Sequence, residues 1–149
     1  MKKAWLYLLF LPLVSCSYLT EFFIYNNTDV PITIEYQALR PSESDPFTTN
    51  PKVVSFRSFK KTRDLEHQPP IDIDTTMLIV TCKLQPKQAL WIGADTNFSM
   101  NNSYDREKLR SNLEYLSIKS RSSILKADST NVLDHFKTFN LGHIGILAE

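Results

Sequence analysis

The chain reads as an all-β protein, an antiparallel β-sandwich of about eight short strands with one short C-terminal helix. Three observations predict it. Runs of five to ten residues rich in Ile, Val, Phe, Tyr and Thr recur along the chain. Polar stretches carrying Asn, Ser, Asp and Pro separate them, which is turn chemistry. No long helical pattern alternates with the runs, so there is no βαβ rhythm and no reason to expect a parallel sheet.

The elements follow in order. Glu21 to Tyr25 is aromatic and β-branched, Asn26 to Asp29 is a polar turn, and Ile32, Ile34 and Tyr36 alternate with Thr33 and Glu35. Two strands around a four-residue turn predict a hairpin, its second strand half-buried. Residues 39–51 form a loop, Val53 to Phe59 a strand, and Lys60 to Pro70 a charged loop. The nearly continuous apolar run from Thr75 to Leu84 predicts a central strand covered on both faces. Gln85-Pro86-Lys87-Gln88 turns the chain into Ala89–Gly93, the next strand. Residues 95–112 are polar, and Ser103 is placed to cap a short helix through Arg110. Leu113–Lys119 is a strand, Ser120-Arg121 a turn, and Ser122–Lys126 its return. Asp128 or Ser129 then caps a helix over Val132, Leu133 and Phe136, and His143–Leu147 closes the sheet.

The N-terminus says where such a domain would be delivered. Lys2 and Lys3, an apolar run from Ala4 to Val14 and a small residue at Ser15 are the three parts of a secretory signal. The run is too short to cross a hydrocarbon core, which needs about 20 apolar residues. Leu13-Val14-Ser15-Cys16 resembles the lipobox of bacterial lipoproteins. That resemblance implies cleavage between Ser15 and Cys16, a thioether to diacylglycerol on the Cys16 thiol, and acylation of the new amine, typically with palmitate. Ser17 stands where an Asp would signal inner-membrane retention, so the resemblance favours the outer membrane. A small β-rich body directly after a lipobox is also similar to small envelope lipoproteins of the Bacteroidetes type. A rival reading leaves the segment uncleaved as a helix from Ala4 to Tyr25, with Pro12 inside it and Glu21 near its end; another is an ordinary cleaved signal. The preferred division is 1–15 signal, 16–20 tether and 21–149 domain. A five-residue tether reaches at most about 17 Å, which holds the domain close to the bilayer.

Removing residues 1–15 takes Lys plus Arg from 17 to 15 against 16 Asp plus Glu, so the mature chain is near −1. That balance gives no nucleic-acid footprint. With Cys16 lipidated, Cys82 has no partner and reads as a small buried hydrophobe. Stability then comes from the core alone.

Several residues qualify for chemistry and each has a plainer reading. His67, His135 and His143 are scattered without HxH or HExxH spacing. Asp72 and Asp74 share one face by alternation, and with Asp64, Glu66 and His67 they form an acidic set suited to Ca²⁺ or Zn²⁺. No calcium-loop pattern accompanies them, and the solvated face of an edge strand explains them more simply. Arg57, Lys60, Lys61 and Arg63 are a basic cluster, either resting on anionic head groups or simply a solvated loop. Phe98, Met100 and Tyr104 offer either adaptable contacts or core packing. Trp91 reads as core, which removes the aromatic platform a carbohydrate-binding module would need. The three glycines, Gly93, Gly142 and Gly145, form neither a nucleophile elbow nor a phosphate loop. The expected protein is a non-enzymatic envelope lipoprotein without cofactor or metal, held in membrane lipid through Cys16 and engaging a membrane-proximal protein partner. The alternative is a metal-binding or carbohydrate-binding surface module.

Overall fold

In the computed structural model the strand that begins almost at once, β1 (Leu19–Asn26), is buried on both of its faces. Residues 17–40 and 45–149 are described; the lipobox and Cys16 lie outside them. Phe22 and Ile24 point into the main core between two sheets, while Phe23 and Tyr25 point the other way into a second apolar cluster. The strand starts two residues earlier than the expected domain boundary, so Leu19 and Thr20 belong to the sheet and not to a tether.

After β1 come β2 (Ile32–Ala38), β3 (Lys52–Ser58), β4 (Lys61–Asp64), β5 (Ile71–Asp74), β6 (Ile79–Leu84) and β7 (Gln88–Thr96). Then follow helix α1 (Ser103–Ser111), β8 (Leu113–Lys119), β9 (Ile124–Asp128), a 3-10 turn (Val132–His135), β10 (Phe136–Asn140) and β11 (His143–Ala148). One sheet has the order β10-β11-β1-β7-β3-β4 and the other β5-β6-β2-β8-β9. The fold is the all-β sandwich the sequence predicts, with eleven strands among the described residues in place of about eight. Every pairing is antiparallel except β1 with β11, which is parallel.

Several local expectations differ, each for a physical reason; Lys61–Asp64, expected within a charged loop, is a strand because β3 supplies its ladder. β1 and β2 are not a hairpin, because they lie in opposite sheets. Buried Asn26 holds the arch between them: its amide donates to the Val30 and Leu84 carbonyls at 2.9 and 3.2 Å, and its oxygen accepts from Thr28. The 75–84 run is not one central strand. The Asp74 carboxylate accepts the backbone N–H groups of Thr76 and Met77, and Leu78 sits at φ 56°, so the chain turns there between β5 and β6. The central strand of that sheet is β2. The late helix shrinks to the 3-10 turn, and Phe136 opens β10 where the next helical turn was expected. The one α-helix among the described residues is the earlier α1, capped by Asn102 in place of Ser103; the Asn102 side chain accepts from the N–H groups of Tyr104 and Asp105.

The main core gathers Phe22, Ile34, Tyr36, Leu90, Ile118 and Ile146 among others, with Cys82 inside it. Burial pushes the Cys82 thiol up to about 11, in keeping with a packed side chain. At β7 a bulge places Gly93 at φ +136°, where a Cβ would stand 2.3 Å from the Asp45 carbonyl oxygen. Only glycine fits there, and the bulge lets Thr48 N–H bond to the Ile92 carbonyl at 3.0 Å.

Candidate functional site

Alternation in the five-stranded sheet sends Ile32, Ile34 and Tyr36 inward and leaves Thr33, Glu35 and Gln37 on the outer face. The same alternation in β8 turns Tyr115, Ser117 and Lys119 outward, and in β9 Ile124, Lys126 and Asp128. Strand register aligns these into rows: Glu35 beside Ser117 beside Lys126, flanked by Gln37–Tyr115–Asp128 and Thr33–Lys119–Ile124. The smallest side chain, Ser117, stands in the middle of longer ones. A groove of about 600 Å³ results, lined by Glu35, Tyr115, Ser117, Lys119, Ile124 and Lys126.

The groove is chemically mixed. The Tyr115 hydroxyl donates to Glu35 Oε1 at 3.0 Å. Desolvation, and then the Glu35 carboxylate beside it, raise the Tyr115 phenol above its ordinary value. At one end the Asp128 carboxylate is held below the usual range by the Thr130 hydroxyl and N–H, at 2.5 and 2.7 Å. Ser117 is 7% exposed, and its hydroxyl is buried without a hydrogen-bond partner. A buried hydroxyl left unpaired costs free energy. Among the described residues no base contacts Ser117 Oγ. The arrangement supports binding.

The chain matches no family model, no curated protein and no solved structure.

The residues singled out from the sequence are dispersed. Asp64 ends β4 at the edge of one sheet and pairs with Lys52 at 3.2 Å. Asp72 and Asp74 lie on β5 at the edge of the other sheet, both exposed on one face as alternation requires. Glu66 and His67 are exposed in the loop between. Among the described residues no three His, Cys, Asp or Glu side chains converge as a metal site. His135 is half-buried on the 3-10 turn, and His143 is paired elsewhere. Phe98 is core, Met100 packs against it, and Tyr104 is exposed.

Trp91 is not in the main core. It lies on the outer face of the six-stranded sheet, half-buried, with the Lys52 ammonium 5.7 Å from its ring centre. That face is sealed by the β3–β4 hairpin, whose tip folds back. Phe59 stacks on Phe139 at 4.8 Å, and the Phe59 carbonyl accepts from the Tyr25 hydroxyl at 3.1 Å. His143 Nδ1 also lies 3.0 Å from the Phe59 carbonyl. A carbonyl only accepts, so Nδ1 carries the proton, and Nε2 faces Glu21 at 3.6 Å.

The groove residues were missed because register is invisible in the sequence. Glu35 and Ser117 read as outward positions of their own strands, yet nothing local says that strands about eighty residues apart are neighbours.

Proposed function

We propose that this protein is a lipid-anchored envelope lipoprotein that acts as a binding or assembly accessory, presenting the outer face of its five-stranded sheet to a membrane-proximal protein. The observation that carries the binding role is the groove around Ser117, where a rigid sheet holds a carboxylate, two lysines and an unpartnered buried hydroxyl together. Preorganised polar groups on strands lose little entropy on binding. The anchor is supported by the Lys2-Lys3, apolar-run and Leu13–Cys16 pattern. Among the described residues no helix is long and apolar enough to cross a membrane.

Two measurements test this. Mass spectrometry of the N-terminal peptide is expected to find Cys16 as the first residue, bearing diacylglycerol and an acyl chain; an intact Met1 overturns the anchor. Co-purification after chemical crosslinking in the intact envelope is expected to return one protein partner, lost when the groove is filled by Ser117→Trp. A partner retained at full yield by that variant overturns the groove as the binding surface.

A further inference from the structure

We infer that the rim of the sandwich from which β1 leads back toward Cys16 docks directly on a bilayer containing anionic phospholipid. In this geometry Leu19 and Leu141 enter the boundary between head groups and acyl chains, and the β3–β4 hairpin lies on the head groups. The inference rests on lipidation of Cys16 and adds an orientation to it.

The chain is fixed to the body before the strand begins. Tyr18 N–H donates to Asn97 Oδ1 at 3.0 Å, Asn97 N–H donates to the Tyr18 carbonyl at 2.9 Å, and the Tyr18 hydroxyl donates to the Phe98 carbonyl at 3.0 Å. Phe98 is core, its ring packed edge-on against Phe22 at 4.8 Å. Only Ser17 separates the pinned Tyr18 from Cys16. Two residues of backbone span at most about 7.6 Å between Cα atoms, so a lipid on Cys16 would hold this rim within a head-group layer of the acyl chains.

The rim is built for that neighbour. Leu19 is 57% exposed and Leu141 73% exposed, and they are adjacent: Thr20 Oγ1 donates to the Leu141 carbonyl at 2.9 Å and Glu21 N–H to the Gly142 carbonyl at 2.8 Å. Two residues beyond Leu141, His143 meets the Phe59 carbonyl and so fastens the hairpin beside the same rim. Exposed Lys60 and Lys61 follow Phe59 at the hairpin tip, whereas Arg63 pairs with Ser55 and so lies toward the Asn26 end of β1. Lys60 and Lys61 make no ion pair among the described residues; of the nearby acids, Asp95 pairs with Lys108 while Glu21 lies 3.6 Å from His143 Nε2. Exposed leucines beside free cations suit an anionic interface, where apolar insertion and charge attraction act together.

The test uses the full lipoprotein reconstituted in vesicles of phosphatidylcholine and phosphatidylglycerol, with and without brominated acyl chains. An environment-sensitive fluorophore is attached to Leu141→Cys or, at the opposite end of β1, to Asp29→Cys. The label at 141 is expected to be quenched at least about twofold more than the label at 29, and Lys60→Glu/Lys61→Glu to reduce that difference. Equal quenching at both positions, with diacylglycerol confirmed on Cys16, overturns the docking and leaves the anchor standing. Absence of lipid on Cys16 overturns both. Quenching at 141 that ignores the double charge reversal overturns the role of the hairpin.

Discussion

Phe23 on β1 and Glu35 on β2 occupy comparable places, each on the outward side of a strand near the middle of its sheet. Phe23 is 1% exposed in a cluster covered by Phe59 and Phe139, while Glu35 looks into an open groove. The six-stranded sheet spends its outer face on stability: Phe23, Tyr25, Val54 and Phe56 are buried there, with Phe59, Trp91 and Phe139 packed over them. The five-stranded sheet leaves its outer face polar and concave. A sandwich of this size with no disulfide among its described residues gains from a second apolar layer. Confining that layer to one sheet leaves the outer face of the other open.

The sharpest way to break this comparison is to intrude on the closed face. A Cβ at Gly145 would stand 2.6 Å from the Tyr25 ring and 2.7 Å from the Phe23 carbonyl oxygen, so Gly145→Val cannot be accommodated without moving β1. It is expected to cost more than about 3 kcal/mol by urea unfolding, or to prevent folding. Phe23→Ala opens a cavity in the same layer and is expected to cost about 3–5 kcal/mol. The same truncation on the open face, Lys126→Ala, should stay within about 0.5 kcal/mol. A Phe23→Ala loss near that of Lys126→Ala would erase the distinction.

Lys108 tests the joint between the sheets. It reaches from α1 to Asp45 and Asp95 at 2.9 and 3.0 Å, tying the helix that leads into β8 to the end of β7. Partial desolvation pulls the Lys108 pKa down, but its hydrogen bonds to the two carboxylates outweigh this and leave it raised. A raised folded-state pKa stabilises fully below the ordinary lysine value, about 10.4, and that contribution is lost as pH rises through the folded value. Lys108→Met is therefore expected to cost about 1–2 kcal/mol at neutral pH, a gap that narrows in denaturation curves taken above about pH 10.5. The smallest effect belongs to the groove. Ser117→Ala removes an unpaired buried hydroxyl and is expected to leave stability within about 0.5 kcal/mol of the parent, or slightly above it, while weakening partner capture.

Strands with strong alternation or a β-branched core were legible from the sequence, and β2 and β8 are the clearest cases. β4 and β10 were not. Lys61–Asp64 is wholly polar and Phe136–Asn140 mixes two aromatics with Lys, Thr and Asn, so both are strands only because a neighbour supplies the ladder. Both lie at the edges of the six-stranded sheet, where charge is tolerated. The apolar run before Leu84 misled because a single Asx turn at Asp74 outweighs composition. Asn26 misled in another way: it looks like turn chemistry, and it is, but its amide is satisfied by Leu84 from the opposite sheet. The acidic set around Asp72 came apart because its members lie on edge strands of different sheets.

The most direct test of the binding face is a photoreactive amino acid placed at Lys126, in the groove, or at Lys137, exposed on the edge of the six-stranded sheet, with irradiation in intact envelopes. The account predicts a discrete protein adduct from position 126 and none from 137. An adduct from 137 with none from 126 would contradict it.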